Sequence, residues 1–242
     1  MKQLYFILVV VFLWACSENN RIVGYVEELP TIYPDYIDVT IPYNIAPLNF
    51  SVQSEGQPVI AWFKSENSEF QVKADNGEFH LPKQKWEKLL SDAVGKSIEI
   101  TVAKGEKDGW IAYKPFLMHV ANEPVDKYIA YRLIEPGYSL WNQMGIYQRN
   151  LESFEEDAIY ENKITNYNCV NCHSFCMQNP NQMVFHMRAK MEGTVLLDRE
   201  NIELLDTKTD QTISALVYPS WHPSGRYISF SVNNTTQQIH PT

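Results

Sequence analysis

The feature that most constrains this chain is a series of short segments in which apolar and polar residues alternate, each closed by turn-forming residues. Ile37, Val39 and Ile41 alternate with Asp38 and Thr40, the period of two that sends successive side chains to opposite faces of a strand. Val59 to Phe63, Phe70 to Lys73, Glu78 to Leu81, Ile98 to Ala103 and Trp110 to Tyr113 are further strand candidates. Asp75-Asn76-Gly77 and Asp108-Gly109 punctuate them, because Asn, Asp and Gly tolerate the positive φ of tight hairpin turns. One stretch departs: Trp86, Leu89, Leu90 and Val94 recur at helical spacing, and Gly95 follows as a C-cap. The expected fold class is mainly β. Residues 30–122 predict an immunoglobulin-like β-sandwich with one short helix across an end of its sheets. Nothing in that span carries recognisable chemistry, so its expected role is spacer or interaction module.

Residues 123–242 predict a second unit. Tyr128 to Ile134 and Met144 to Arg149 flank a turn containing Gly137, and Met183 to Arg188, Thr194 to Leu197, Ile202 to Asp206 and Tyr227 to Val232 are strand-like. The segment Trp221-His222-Pro223-Ser224-Gly225-Arg226-Tyr227-Ile228-Ser229-Phe230 resembles the W-x-P-D-G-x-x-I-x-F repeat of TolB-like β-propellers, with Ser224 in place of Asp. A propeller needs about 4–8 blades of about 40–45 residues each. The 66 residues from Met177 to Thr242 do not close such a ring. The expectation is the start of a truncated propeller, in an N-terminal fragment of a longer protein.

The N-terminus follows a different logic. Lys2 precedes an apolar run from Leu4 to Trp14, shorter than the roughly 20 residues a membrane span requires. Leu13-Trp14-Ala15-Cys16 then resembles a bacterial lipobox, although Trp14 is an unusual occupant. Residues 1–15 are expected to be a signal peptide, Cys16 the lipidated first residue and 16–29 a tether. This places the mature chain in the cell envelope, lipid-anchored, on the periplasmic or surface face of the outer membrane. The formal net charge of −9 leaves no basic surface to neutralise phosphates, which excludes nucleic acid as a partner.

Beyond Cys16, the cysteines are Cys169, Cys172 and Cys176, and the run Cys169-Val170-Asn171-Cys172-His173 is a C-x-x-C-H motif. Two thiols at that spacing can bond the two vinyl groups of a haem as thioethers, with His173 delivered beneath the iron. One covalently attached c-type haem is the expected cofactor, and export agrees with it. Two other chemistries suit parts of the motif. Cys169 and Cys172 could form a redox-active or structural disulfide, or Cys176 and a nearby His could complete a zinc or iron–sulfur site. In the haem reading Cys176 has no role beyond that of a small buried thiol.

The distal ligand is sought in Gln182 to Arg188. On a strand, His186 shares a face with Val184 and Arg188, while Met183 and Met187 share the other with Phe185. His186 is the preferred distal axial ligand, with Arg188 available to a haem propionate. Met183 or Met187 is the alternative, against ordinary core filling. Met118 and His119 end a strand that could approach a haem, but a structural histidine is expected there, as at His80, His222 and His240.

Taken together, Ile32-Tyr33-Pro34-Asp35-Tyr36, Asn44-Ile45-Ala46-Pro47-Leu48-Asn49-Phe50, Asn168 to Phe175 and Trp221 to Val232 resemble a group of Bacteroidetes lipoproteins with TolB-like propellers, often labelled cytochrome c biosynthesis proteins. The resemblance implies an envelope lipoprotein with an N-terminal β-sandwich, a c-type haem site and a C-terminal propeller. The expected function is electron transfer with an envelope redox partner. The alternatives are a sandwich-and-propeller scaffold that binds a protein or a glycan, and a thiol–disulfide factor in cytochrome maturation. No nucleophile elbow, phosphate loop or H-E-x-x-H motif is present, which favours a role other than enzyme.

Overall fold

A computed structural model describes residues 21–134, 143–188 and 191–232. Cys16, Gly137 and His240 lie outside the described residues. Among the described residues the chain is mainly β, 50% strand and 8% helix, in several sheets of which none is closed. It divides into two compact units: residues up to Lys127 with Leu151–Phe154, and Tyr128–Asn150 with the residues from Glu155 onward.

The first unit contains β1 (Ile22–Tyr25), β2 (Ile32–Tyr33), β3 (Thr40–Ile41), β4 (Phe50–Val52), β5 (Val59–Lys64), β6 (Glu69–Ala74), β7 (Glu78–Phe79), α1 (Lys83–Asp92), β8 (Ser97–Glu106), β9 (Gly109–Ala112) and β10 (Phe116–Val120). The ten-residue β8 organises the larger sheet. One edge pairs with β10 near its start and β9 near its end, and the other edge takes β5, which carries β6. β1 and β3 complete seven strands, while β2, β4 and β7 form a separate three-stranded sheet. Alternation then sorts the side chains. Val59, Ala61 and Phe63 of β5 and Ile98, Ile100 and Val102 of β8 share one core with Phe50, Val52 and Phe79 of the smaller sheet and Trp86, Leu89 and Leu90 of α1. Phe63 stacks on Phe70 at 4.8 Å and meets Trp86 edge-on at 6.4 Å.

The expected strand over Ile37–Ile41 is reduced to Thr40–Ile41. The Ile37 N–H donates to the Asp35 carboxylate and Asp38 takes a left-handed φ of +57°, which interrupts the extended run even though the Asp38 N–H still donates to the Leu117 carbonyl. Ile37 and Val39 nonetheless pack on the core. Strand β4 had no expectation attached. β4 has only three residues, too few for a period to show. The unit also reaches past residue 122, because Asn44 bonds Val125 through both its amide groups and also donates to Glu152.

Among its described residues the second unit holds three antiparallel sheets. They are β11 (Tyr128–Ile134), β12 (Met144–Asn150) and β13 (Glu156–Glu161); β14 (Cys169–Phe175), β15 (Gln182–Arg188), β16 (Gly193–Asp198) and β17 (Asn201–Leu205); and the pair β18 (Leu216–Trp221) and β19 (Ile228–Val232). Its core gathers Met144, Ile146, Tyr160, Val170, Met183, Phe185, Met187 and Val195. Among the described residues no helix is long and apolar enough to cross a membrane.

Candidate functional site

The C-x-x-C-H motif forms most of β14, an edge strand of its sheet among the described residues. Cross-strand pairing sets Cys169 opposite Arg188, Val170 opposite Met187 and Asn171 opposite His186, and then resumes with Ser174 opposite Val184. Cys172 and His173 are therefore both opposed by Phe185, which is a β-bulge of the kind that re-aims side chains beside functional sites. Cys172 accommodates it with φ of +57°, and its N–H donates to the Asn171 side-chain oxygen at 2.8 Å. Asn166 and Tyr167 before the motif, and Met177 and Gln178 after it, are also left-handed. Five of the nine described non-glycine residues with positive φ thus fall between 166 and 178. Each costs roughly 1–2 kcal/mol, and such strain collects where function demands a fixed backbone.

Cys169 and Cys172 are half-buried and Cys176 is buried, and all three are free thiols. Cys176 lies beneath the β18–β19 turn, where a methyl group added to Gly225 would come within 3.1 Å of its sulfur. Among the described residues no group of three or more His, Cys, Asp or Glu side chains is arranged to hold a metal ion.

The His173 ring is edge-on to Phe175 at 6.4 Å. Burial holds its pKa below the usual imidazole value, against an opposing hydrogen bond to the Ala130 backbone and with help from the Arg132 charge. The neutral ring, which is the form that ligates metals, is thereby favoured. His186 is 3% exposed, with Nδ1 3.2 Å from the Thr194 hydroxyl. Its pKa is also lowered, by burial and by Arg188, with Glu192 opposing. Its partner across the ladder is Asn171, so the structure does not pair it directly with His173. Met183 and Met187 belong to the core, and the Met187 sulfur accepts from the Tyr160 hydroxyl at 3.4 Å.

One site residue had no sequence signal beyond its place before the motif. Asn168 is 1% exposed, and its carbonyl accepts from the Asn162 amide at 2.9 Å. Its own side-chain Nδ2 has no partner among the described residues. An orphaned buried donor costs about 1–3 kcal/mol, and this one adjoins Cys169.

The chain matches no family model, no curated protein and no solved structure.

The remaining histidines have local duties. In the first unit His119 joins Ser97 at 2.9 Å to Asp38 at 2.7 Å. Such a line of residues serves nucleophilic catalysis only beside an oxyanion hole and a substrate cleft. Here Asp38 is exposed, and the network ties β8 and β10 to the loop before β3. His222 bonds Ser224 within its own turn, and His80 is exposed near Glu78. In the second unit a cleft of about 330 Å³ is lined by Met144, Tyr147, Glu161 and Tyr167, without the motif's cysteines or His173.

The donor set around the motif fits a covalent haem. Two half-buried thiols and a ring biased to its neutral form are the groups that would hold it. The unpaired Asn168 amide and Arg188, opposite Cys169, are donors suited to carboxylates.

Proposed function

We propose that this chain is a lipid-anchored envelope protein carrying one c-type haem, and that it transfers electrons. The observation that carries the reading is the C-x-x-C-H motif held on a bulged strand, with both thiols free and half-buried. Cys169 and Cys172 would hold the haem as thioethers, and His173 would be its axial ligand. Haem supplies reversible one-electron chemistry when bound. The chain's own residues set its surroundings. Burial and Arg132 favour the metal-binding form of His173, and Asn168 and Arg188 offer N–H donors to the propionates. His186, with its ring oriented by Thr194, is proposed as the second axial ligand.

Two finer fold assignments belong to this reading. A core shared by two sheets in the first unit supports an immunoglobulin-like β-sandwich. The β18–β19 pair, turning at Gly225 in the W-H-P-S-G segment, supports the beginning of a TolB-like propeller. Lipidation at Cys16 and residence at the outer membrane complete the proposal, with an envelope redox protein as partner.

The test is to export the full chain from a host equipped for haem maturation. The expected product has the intact mass of the lipidated polypeptide plus one haem, and a reduced α-band typical of c-type haem. Cys169→Ser and Cys172→Ser should each remove one thioether, and His186→Ala should alter the low-spin spectrum. A colourless product with three titratable thiols would refute the haem reading.

A further inference from the structure

The face of the seven-stranded sheet turned away from the main core carries a cleft of about 530 Å³, within the range of about 300–1,000 Å³ usual for small-ligand sites. Its floor is built row by row across β6, β5 and β8. Gln71, Trp62 and Thr101 form one row and Glu69, Lys64 and Glu99 the next. Trp62 is half-buried at the centre. It is held edge-on against Trp110, with centroids 6.5 Å apart and planes at 88°, and Lys73 lies over the Trp110 ring at 5.7 Å. A ring fixed in this way loses little freedom when a ligand stacks on it.

The polar groups are uncommitted. Among the described residues, the side chains of Lys64, Glu69, Gln71, Glu99 and Thr101 make no hydrogen bond or ion pair with the rest of the chain. They offer acceptors from two carboxylates, a donor from the ammonium, and both from the amide and the hydroxyl. Lys64 stands between Glu69 and Glu99 in one row, so the cleft presents both signs of charge and no single ionic group is selected. A wholly apolar ligand would desolvate these groups without replacing their hydrogen bonds with water. What remains is a neutral molecule with hydroxyls around its rim and a C–H face that lies on an aromatic ring.

We propose that this cleft is a binding site for a neutral saccharide, stacked on Trp62 and hydrogen-bonded by Gln71, Thr101 and the two carboxylates. The site is independent of the haem proposal, since it lies in the other unit and uses none of the same residues.

The full chain is titrated with cellohexaose, xylohexaose, maltohexaose and chitohexaose, followed by tryptophan fluorescence and calorimetry, with hexalysine and oligogalacturonate as charged comparators. At least one neutral hexasaccharide should bind with Kd of about 1 mM or tighter, and its affinity should be almost unchanged in about 1 M salt, where the screening length falls to about 3 Å. Trp62→Ala should weaken it at least about 30-fold, the loss expected of a central aromatic anchor. Gln71→Ala and Thr101→Val leave the aromatic floor intact and should each cost severalfold, with thermal melting confirming the fold. The proposal is overturned if no neutral probe binds, if binding survives both Trp62→Ala and Gln71→Ala, or if a charged comparator binds better and is lost in salt.

Discussion

Cys172 holds φ at +57° inside a strand, a conformation that glycine adopts freely and a β-carbon does not. Cys172→Gly is therefore expected to stabilise the haem-free chain by about 1 kcal/mol while deleting one thioether. Denaturant unfolding checks the first outcome, and the intact mass after haem loading the second. A gain in stability together with a loss of attachment would mark the strain as serving the site. His173 and His186 act through protonation instead. Both are held below the ordinary imidazole pKa of 6.5, so the unfolded chain takes up protons first as the solution is acidified. Stability present above about pH 6.5 is then lost as pH falls toward the lowered native values. Thermal melting of the haem-free chain should show this loss between neutral pH and pH 5, and a His173→Gln, His186→Gln double variant should reduce the slope.

At the scale of elements, the C-terminal end of β14 is braced by β18 and the turn after it. The Trp221 indole N–H of β18 donates to the Ser174 carbonyl at 3.1 Å. The turn after β18 covers Cys176, with the Gly225 N–H donating to the His222 carbonyl at 2.8 Å. Gly225 has φ of +68°, so Gly225→Ala meets both a backbone penalty and the Cys176 sulfur. Its expected cost is about 1–2 kcal/mol. Adding Cys176→Ala should recover the part due to the contact and leave the part due to φ, a coupling that a double-mutant cycle reads directly. Trp221→Phe keeps the ring and removes the bond, for about 1 kcal/mol. If neither substitution changes stability, the turn is not what supports the motif strand.

For the molecule as a whole, the net charge of −9 is the property that acts beyond contact distance. An acidic carrier attracts cationic partners and repels anionic ones at low ionic strength. In the haem-loaded protein, oxidation by hexaammineruthenium(III) should outpace oxidation by ferricyanide after correction for driving force. That preference should shrink as salt brings the screening length from about 10 Å to about 3 Å. A preference that ignores salt would mean that the electron leaves through a locally neutral surface.

The amino-acid sequence by itself determined the mainly β class of fold and the spacing of the motif, because both are local. The apolar runs Val59–Phe63 and Met183–Phe185 and the alternation of Ile98–Val102 mark segments whose side chains leave water. The spacing of Cys169, Cys172 and His173 is a covalent fact of the chain. The helix through Trp86, Leu89 and Leu90 was legible for the same reason, and all three are buried. Tertiary structure decided what depends on pairing between distant segments. It placed Cys172 and His173 in a bulge against Phe185, set Arg188 opposite Cys169 and His186 opposite Asn171, and left the Asn168 amide unpaired. Trp62, Gln71 and Thr101 met in one row only because three strands share a register. Local patterns report burial, whereas register arises from hydrogen bonds between strands that the linear order does not join.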